Sequence, residues 1–176
     1  IFGGDGDDEL TGPGAAFSWT ITGDGAGTGG VSFLRFDTVE GITGGSGADR
    51  FTVAGGSLKG TLDGGGGADV LIGPDLDNAW RITGPGAGTL NRTTPTAGFA
   101  FTGFESLTGN VQDDTFLVAD PTGSLSGLLD GGAVDTAAPS MNRLSFVDYG
   151  SAVIVDLGAG TAGAIASFAN ITSVAG

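Results

Sequence analysis

This chain contains no cysteine and no histidine, and these two absences exclude much of ordinary active-site chemistry. Without them there is no disulfide framework, no cysteine–histidine nucleophile pair, no serine–histidine–aspartate triad and no zinc site of the usual kind. Basic residues are also scarce: Lys and Arg total 6 against 20 Asp and Glu, a formal net charge of -14. Such a charge repels nucleic acid and anionic membranes and favours cations. The sequence therefore predicts neither a nucleic-acid-binding protein nor an enzyme.

Glutamate and long apolar runs are missing as well. The 20 acidic residues include only three glutamates, and aspartate favours turns whereas glutamate is typical of exposed helices. No apolar run reaches the ~18 residues that would span a membrane, so we expect no membrane insertion. What the chain does contain is 37 glycines, 11 phenylalanines and 39% hydrophobic residues. Disorder is the alternative for so glycine-rich a chain, but this apolar content favours a buried core.

An internal repeat dominates the sequence. The stretch from Asp8 to Thr28 aligns without gaps on the stretch from Asp69 to Thr89, and Trp19 matches a second tryptophan there. Glycine-rich turns recur every 20 to 25 residues, between β-type runs such as RFTVA and TFLVA. A strand-turn-strand unit of that length cannot bury its apolar face alone. The sequence predicts an all-β fold, a parallel β-solenoid of the β-helix or β-roll type with coils of about 20 residues and roughly nine coils. A β-sandwich of short strands is the alternative.

The repeat also predicts the organisation of the chain. We expect a single segment over residues 1–176, made of about three degenerate units at approximately 3–63, 64–130 and 131–176. The repeat pattern at the end of the chain continues in the pattern at its start, so we expect a longer tandem array. A phrase of the form Phe-x-x-apolar-x-x-apolar-x-Gly occurs three times, and its apolar positions predict columns in the core. The column residues are Phe36, Phe101 and Phe168, then Val39, Phe104 and Ile171, then Ile42, Leu107 and Val174.

Three nonapeptides match the pattern G-G-x-G-x-D-x-apolar-x: GGDGDDELT from Gly3, GGSGADRFT from Gly44 and GGGGADVLI from Gly64. A degenerate copy, GNVQDDTFL from Gly109, keeps the aspartate as Asp114. Glycine permits the positive-φ turns that point carbonyl oxygens at one spot, and aspartate adds a charged oxygen. Calcium takes about six to eight oxygens, more than one turn offers, so two stacked turns would have to share an ion.

These nonapeptides resemble the RTX calcium-binding repeats of large bacterial surface adhesins and secreted proteins. The resemblance implies Ca²⁺ as a cofactor, held between the turns that begin at Gly44 and Gly64. It implies a structural repeat module of an extracellular adhesin, stalk or filament on the bacterial cell surface, rigidified by that calcium. Turns that are only architectural, with aspartate capping backbone N–H groups, are the alternative. The candidate metal-binding residues are Asp8, Gly45, Gly47, Asp49, Gly65, Gly67, Asp69 and Asp114.

The expected partners are flanking repeats of the same chain or further copies that stack end to end, because open strand edges are templates for pairing. An alternative function is a carbohydrate-binding module, in which Trp19 and Trp80 would stack on surface glycans. A polysaccharide lyase of the β-helix type is a more distant alternative, because it would need a basic residue beside the ion. The 6 Lys and Arg residues form no cluster in the sequence.

Overall fold

The computed structural model describes residues 1–30, 34–92, 98–133 and 141–176. These residues form nineteen strands and no helix, which confirms the predicted all-β class. None of them belongs to an apolar helix of membrane-spanning length. The first ten strands are β1 (Glu9–Thr11), β2 (Ser18–Gly23), β3 (Ala26–Gly29), β4 (Leu34–Phe36), β5 (Gly41–Thr43), β6 (Arg50–Val53), β7 (Thr61–Asp63), β8 (Val70–Ile72), β9 (Asn78–Gly84) and β10 (Ala87–Arg92). The remaining strands are β11 (Gly98–Thr102), β12 (Ser106–Thr108), β13 (Asp114–Val118), β14 (Leu125–Asp130), β15 (Arg143–Ser145), β16 (Val155–Asp156), β17 (Thr161–Ala162), β18 (Ile165–Ala169) and β19 (Ser173–Ala175).

The strands form two large sheets. The nine-stranded sheet has the order β1-β5-β7-β11-β10-β9-β13-β15-β19, and the ten-stranded sheet has the order β16-β17-β18-β14-β12-β8-β6-β2-β3-β4. Both sheets are mixed. Pairs such as β6 with β8 and β9 with β13 are parallel, whereas β2 with β3 and β9 with β10 are antiparallel. The chain changes sheets repeatedly, so that β5 and β7 lie in one sheet while β6 and β8 lie in the other.

The prediction of a parallel β-solenoid with regular coils is wrong. Antiparallel hairpins are built into both sheets, and the spacing between parallel neighbours is not constant. Hydrogen-bonded neighbours lie 20 residues apart at Asp49 and Asp69 but 36 residues apart at Asn78 and Asp114. Strands that stack at such different separations, with reversed strands between them, form two mixed sheets and not roughly nine equal coils.

The physical reason lies in the repeated TGxGAGT phrase. Gly25 and Gly86 have φ of 64° and 58°, and Gly23 pairs with Ala26 as Gly84 pairs with Ala87. Each phrase therefore closes a two-residue hairpin, for which a positive-φ glycine is favoured. The chain reverses at this point and pairs with the strand it has just left, where the coil prediction requires it to continue into the next coil.

One buried cluster of apolar side chains, contributed by both sheets, forms the core. The predicted column positions of the first two phrases are confirmed as buried, whereas those of the third phrase, Phe168, Ile171 and Val174, are only partly buried. The third phrase leads into β19, the last strand of the nine-stranded sheet, which among the described strands has a neighbour on one side only. The six buried column residues are Phe36, Val39, Ile42, Phe101, Phe104 and Leu107.

Candidate functional site

The turns of the second and third nonapeptides lie directly against one another. The backbone N–H of Gly66 donates to the carbonyl oxygen of Gly45 at 2.8 Å. Gly65 and Gly67 pack against the backbone of Gly45 and Gly47, so closely that neither would accommodate a Cβ atom. Gly45, Gly65 and Gly67 have φ of 123°, 89° and 131°, which glycine adopts without steric cost. The two turns are therefore brought together, as the sequence predicts, by direct backbone contact.

The aspartates of these two turns point inward and cap backbone N–H groups. Asp49 Oδ1 accepts a hydrogen bond from Phe17 N at 2.7 Å, and Asp69 Oδ1 accepts one from Asp49 N at 2.6 Å. The series continues one strand further, where Glu105 Oε2 accepts from Asp69 N at 2.7 Å. Asp49 and Asp69 are 1% and 0% exposed. We call Asp49, Asp69 and Glu105 the first ladder; it runs along the ten-stranded sheet, just before the starts of β6, β8 and β12.

A second ladder, Asn78, Asp114 and Asn142, runs along the nine-stranded sheet at the starts of β9, β13 and β15. Asp114 Oδ1 accepts from both Asn78 N and Asn78 Nδ2, at 3.2 and 2.7 Å, and Asn142 Oδ1 accepts from Asp114 N at 3.0 Å. All three side chains are buried. Asp8 donates its backbone N–H to Glu40 Oε2 at 2.9 Å and begins a similar series at β1.

Among the described residues, no hydrogen-bond donor reaches the second carboxylate oxygen of any turn aspartate, and each of these oxygens is buried. This holds for Oδ2 of Asp8, Asp49, Asp69 and Asp114. Each of these residues lies five positions after a glycine, and its Oδ2 lies against that glycine. Because a Cβ atom on the glycine would collide with the carboxylate, the G-x-x-x-x-D spacing reserves space for an inward-turned aspartate.

Burial raises the pKa values of Asp49, Asp69 and Asp114. Desolvation is the largest cause for all three fully buried aspartates: it raises the pKa of Asp49, brings the pKa of Asp69 to about 6 and brings that of Asp114 to about 7. The hydrogen bonds from backbone N–H groups act in the opposite direction and favour the ionised form. Neighbouring acids add to the rise, chiefly Glu105 beside Asp69 and Asp77 beside Asp114.

The donor set of the two stacked turns does not fit calcium in this arrangement. Oδ1 of Asp49 and of Asp69 already accepts a backbone N–H, and the carbonyl oxygen of Gly45 accepts another. The remaining Oδ2 atoms lie against Gly44 and Gly64, where a backbone carbonyl oxygen also approaches, and calcium takes about six to eight oxygens. In the part of the chain that the structure describes, no three acidic side chains converge on a point that could hold a metal ion. Calcium binding stays a prediction of the sequence and is not carried into the function proposed below.

The two asparagines of the second ladder and the one glutamate of the first were not predicted from the sequence. Asn78 follows Gly73 by five residues, the same spacing as Asp49 after Gly44. The stretch GPDLDN, however, has only one glycine, and its sixth residue is asparagine where the nonapeptides have aspartate. Treating asparagine and aspartate as equivalent at that spacing would have found it. Glu105 lies outside any nonapeptide and has no comparable signal. Comparisons with protein-family models, curated proteins and solved structures find no match to this chain.

Proposed function

We propose that this chain is a structural repeat module of an extracellular bacterial adhesin, stalk or filament, and that it joins a further copy of itself end to end. The observation that carries the proposal is the pair of open ends of the two sheets. Among the described residues, β1 and β19 each have a strand neighbour on one side only, as do β4 and β16. Such edges present unpaired N–H and C=O groups to another strand.

The edges of the two sheets coincide at each end of the molecule. The backbone N–H of Gly3 donates to the carbonyl oxygen of Asp37 at 3.1 Å, which ties the segment before β1 to the residue after β4. At the opposite end, Val155 of β16 and Val174 of β19 line one cavity. A second copy could therefore extend both sheets at once and need not pair with an isolated strand.

Both ends also expose apolar side chains. Ile154, Phe2 and Leu157 are 85%, 81% and 75% exposed, the highest values among the large apolar residues that the structure describes. Leu157 lines the cavity of about 580 Å³ beside β16 and β19, and Phe2 lines a hollow of about 440 Å³ that includes Phe36. Burying apolar surface of this kind stabilises association by roughly 25 cal/mol per Å². Head-to-tail docking would cover both faces.

Two single substitutions test this proposal, one at each end. Phe2→Asp and Leu157→Asp each place a charge on one apolar face, so each variant alone should remain monomeric while the unchanged chain forms rods. An equimolar mixture should form dimers and nothing larger, because each variant keeps one intact end of opposite kind. Sedimentation velocity over a concentration series, at moderate salt to screen the net charge of -14, measures all four samples.

Leu76→Asp is the matched control, because Leu76 is 41% exposed and lines neither of these cavities. It should associate as the unchanged chain does. An unchanged chain that stays monomeric at the highest concentration overturns the end-to-end contact. Rods formed by Phe2→Asp or Leu157→Asp alone would place the contact elsewhere on the molecule.

The two tryptophans on which the carbohydrate-binding alternative depends are buried. Trp19 and Trp80 are each 1% exposed, and they stack on Phe51 and Phe116 with ring centroids 6.0 and 5.6 Å apart. Neither indole offers a ring face to a sugar. Their equivalent positions in the repeat reflect equivalent packing in the core.

A further inference from the structure

The two asparagines of the second ladder show which hydrogen bond the second polar atom of a ladder side chain makes. Asn142 accepts the backbone N–H of Asp114 through Oδ1, and its Nδ2 donates to the carbonyl oxygen of Asn170 at 3.1 Å. Asn78 likewise donates from Nδ2 to the carbonyl oxygen of Gly109 at 3.2 Å. At Asn142 the ladder position therefore combines two contacts: Oδ1 faces a backbone N–H and Nδ2 faces a backbone carbonyl.

The aspartates place an oxygen where asparagine places its NH₂ group. A methyl group added to Gly131 would meet both Asn142 Nδ2 and the carbonyl oxygen of Asn170. One added to Gly109 would likewise meet Asp114 Oδ2 and the carbonyl oxygen of Gly131. The same arrangement recurs at Gly64, between Asp69 Oδ2 and Gly103 O, and at Gly44, between Asp49 Oδ2 and Gly64 O. An ionised aspartate in this position would bring two buried acceptors together with no hydrogen between them, which is costly.

We propose that Asp49, Asp69 and Asp114 are carboxylic acids in the folded chain, and that each donates its Oδ2 proton to the backbone carbonyl oxygen beside it. Oδ1 of each residue goes on accepting its N–H, so a protonated aspartate makes the same two contacts as Asn142. The hydrogen bonds that Asp49, Asp69 and Asp114 accept through Oδ1 are then bonds to neutral groups.

The surroundings of the two most affected residues favour the neutral form. Asp69 faces the acids Glu105, Asp49 and Asp63. No ion pair recorded in the described residues reaches a ladder aspartate, since those pairs join Lys59 to Glu40 and Arg81 to Asp148.

Asp114 is surrounded by the acids Asp77 and Asp113 and by the two amides of its ladder. Ionising it would add a buried like charge with no counter-ion. A single proton satisfies both Asp114 Oδ2 and the carbonyl oxygen of Gly131, whereas an ion would need several more oxygens there.

A protonated ladder predicts how stability depends on pH. The pKa of Asp114 rises to about 7 in the folded chain, above its ordinary value in the unfolded chain. Its contribution to stability is therefore fully present below about pH 4 and is lost as the pH rises through about 7. Asp69 follows the same course and loses its contribution as the pH rises through about 6. Within this range the chain should become less stable as the solution becomes more alkaline.

Asp114→Asn is the decisive variant, since its NH₂ group supplies permanently the hydrogen that the acid loses. We expect it to fold, to raise the midpoint of thermal unfolding at pH 8 by ~5 °C, and to flatten the decline between pH 4 and pH 8. Circular dichroism melts measure both quantities. Infrared spectroscopy at pH 5 should show a carboxylic-acid C=O band that weakens in Asp114→Asn.

Asp75→Asn is the control, because it makes the same substitution at an exposed turn residue and should change neither the pH profile nor the infrared band. An Asp114→Asn variant that melts lower than the unchanged chain at pH 8, or that keeps its full pH dependence, overturns the proposal. So does an infrared spectrum that is the same for Asp114→Asn and the unchanged chain.

Calcium provides a separate arm of the test. At pH 5, below the pKa of about 6 that Asp69 has in the folded chain, the two turns are closed by protons, and millimolar calcium should shift the melting midpoint no more than magnesium at the same ionic strength does. An Asp49→Asn, Asp69→Asn double variant should fold and show the same behaviour. A rise specific to calcium that the double variant abolishes would overturn the assignment at these two residues and restore the calcium site that the sequence predicts.

Discussion

Replacing Gly64 with alanine is expected to lower the free energy of unfolding by about 3 kcal/mol, or the melting midpoint by ~10 °C. Gly64 is buried, and a Cβ atom there would lie against the carbonyl oxygen of Gly103 and 2.9 Å from both Cβ and Oδ2 of Asp69. None of these atoms is the end of a flexible side chain: one belongs to the backbone and the others to an aspartate fixed in its ladder. Relief would require Asp69 to leave its position or the two strands to separate. Urea unfolding followed by circular dichroism measures the loss.

Gly66→Ala is the matched control for this prediction, two residues away in the same glycine run. Gly66 is exposed, and the nearest atom to an added Cβ is Ser46 Cα at 3.9 Å, so the change should cost less than about 1 kcal/mol. Equal losses at both positions would mean that the run is sensitive to any side chain. They would remove the inference that the G-x-x-x-x-D spacing makes room for the carboxylate.

Part of this fold follows from the sequence because it depends on local pattern. The alternation in RFTVA predicts a strand with one buried face, and β6 has Phe51 and Val53 inward with Arg50 outward. The repeat shows which turns are equivalent, and the turns of the second and third nonapeptides do stack. These features need only the two-residue period of a strand and the frequency of glycine.

The hairpins were missed because a positive-φ glycine permits both a corner and a reversal. The Asp24-Gly25 pair is in fact a strong signal for a two-residue hairpin, and β2 and β3 pair across it. Its second copy, Pro85-Gly86, lacks that signal but has the same geometry. The direction in which the chain leaves such a turn depends on which apolar strand lies within reach, and one local phrase does not specify that.

The orientation of the turn aspartates also lies beyond what spacing can specify. Asp49 followed by an apolar strand is compatible with a ligand for an ion or with a cap for a neighbouring strand. The choice depends on Phe17, whose N–H it accepts from 32 positions away. The sequence alone does not place Phe17 beside Asp49, because that contact depends on the register of β2 against β6.

Replacing Trp80 with alanine is expected to have the largest effect of any single change considered, a loss of about 4 kcal/mol. The indole is 1% exposed, stacks on Phe116 with centroids 5.6 Å apart and meets Phe101 edge-on at 6.0 Å. Removing it would leave a cavity among rings that are themselves held by β11 and β13, so the core could close only by moving strands of the nine-stranded sheet. Urea unfolding should show a lower midpoint with an unchanged dependence on denaturant concentration.

Trp80→Phe separates the packing of the indole from its polar atom. Nε1 of Trp80 is buried and has no hydrogen-bond acceptor in the part of the chain that the structure describes, so the native side chain already bears the cost of desolvating an N–H group. Phenylalanine keeps a ring opposite Phe116 and removes that N–H, and its loss of stability should be less than half that of alanine. Equal losses from both variants would instead indicate that the indole N–H has an acceptor, such as a buried water, and would assign Trp80 a polar role beside its packing role.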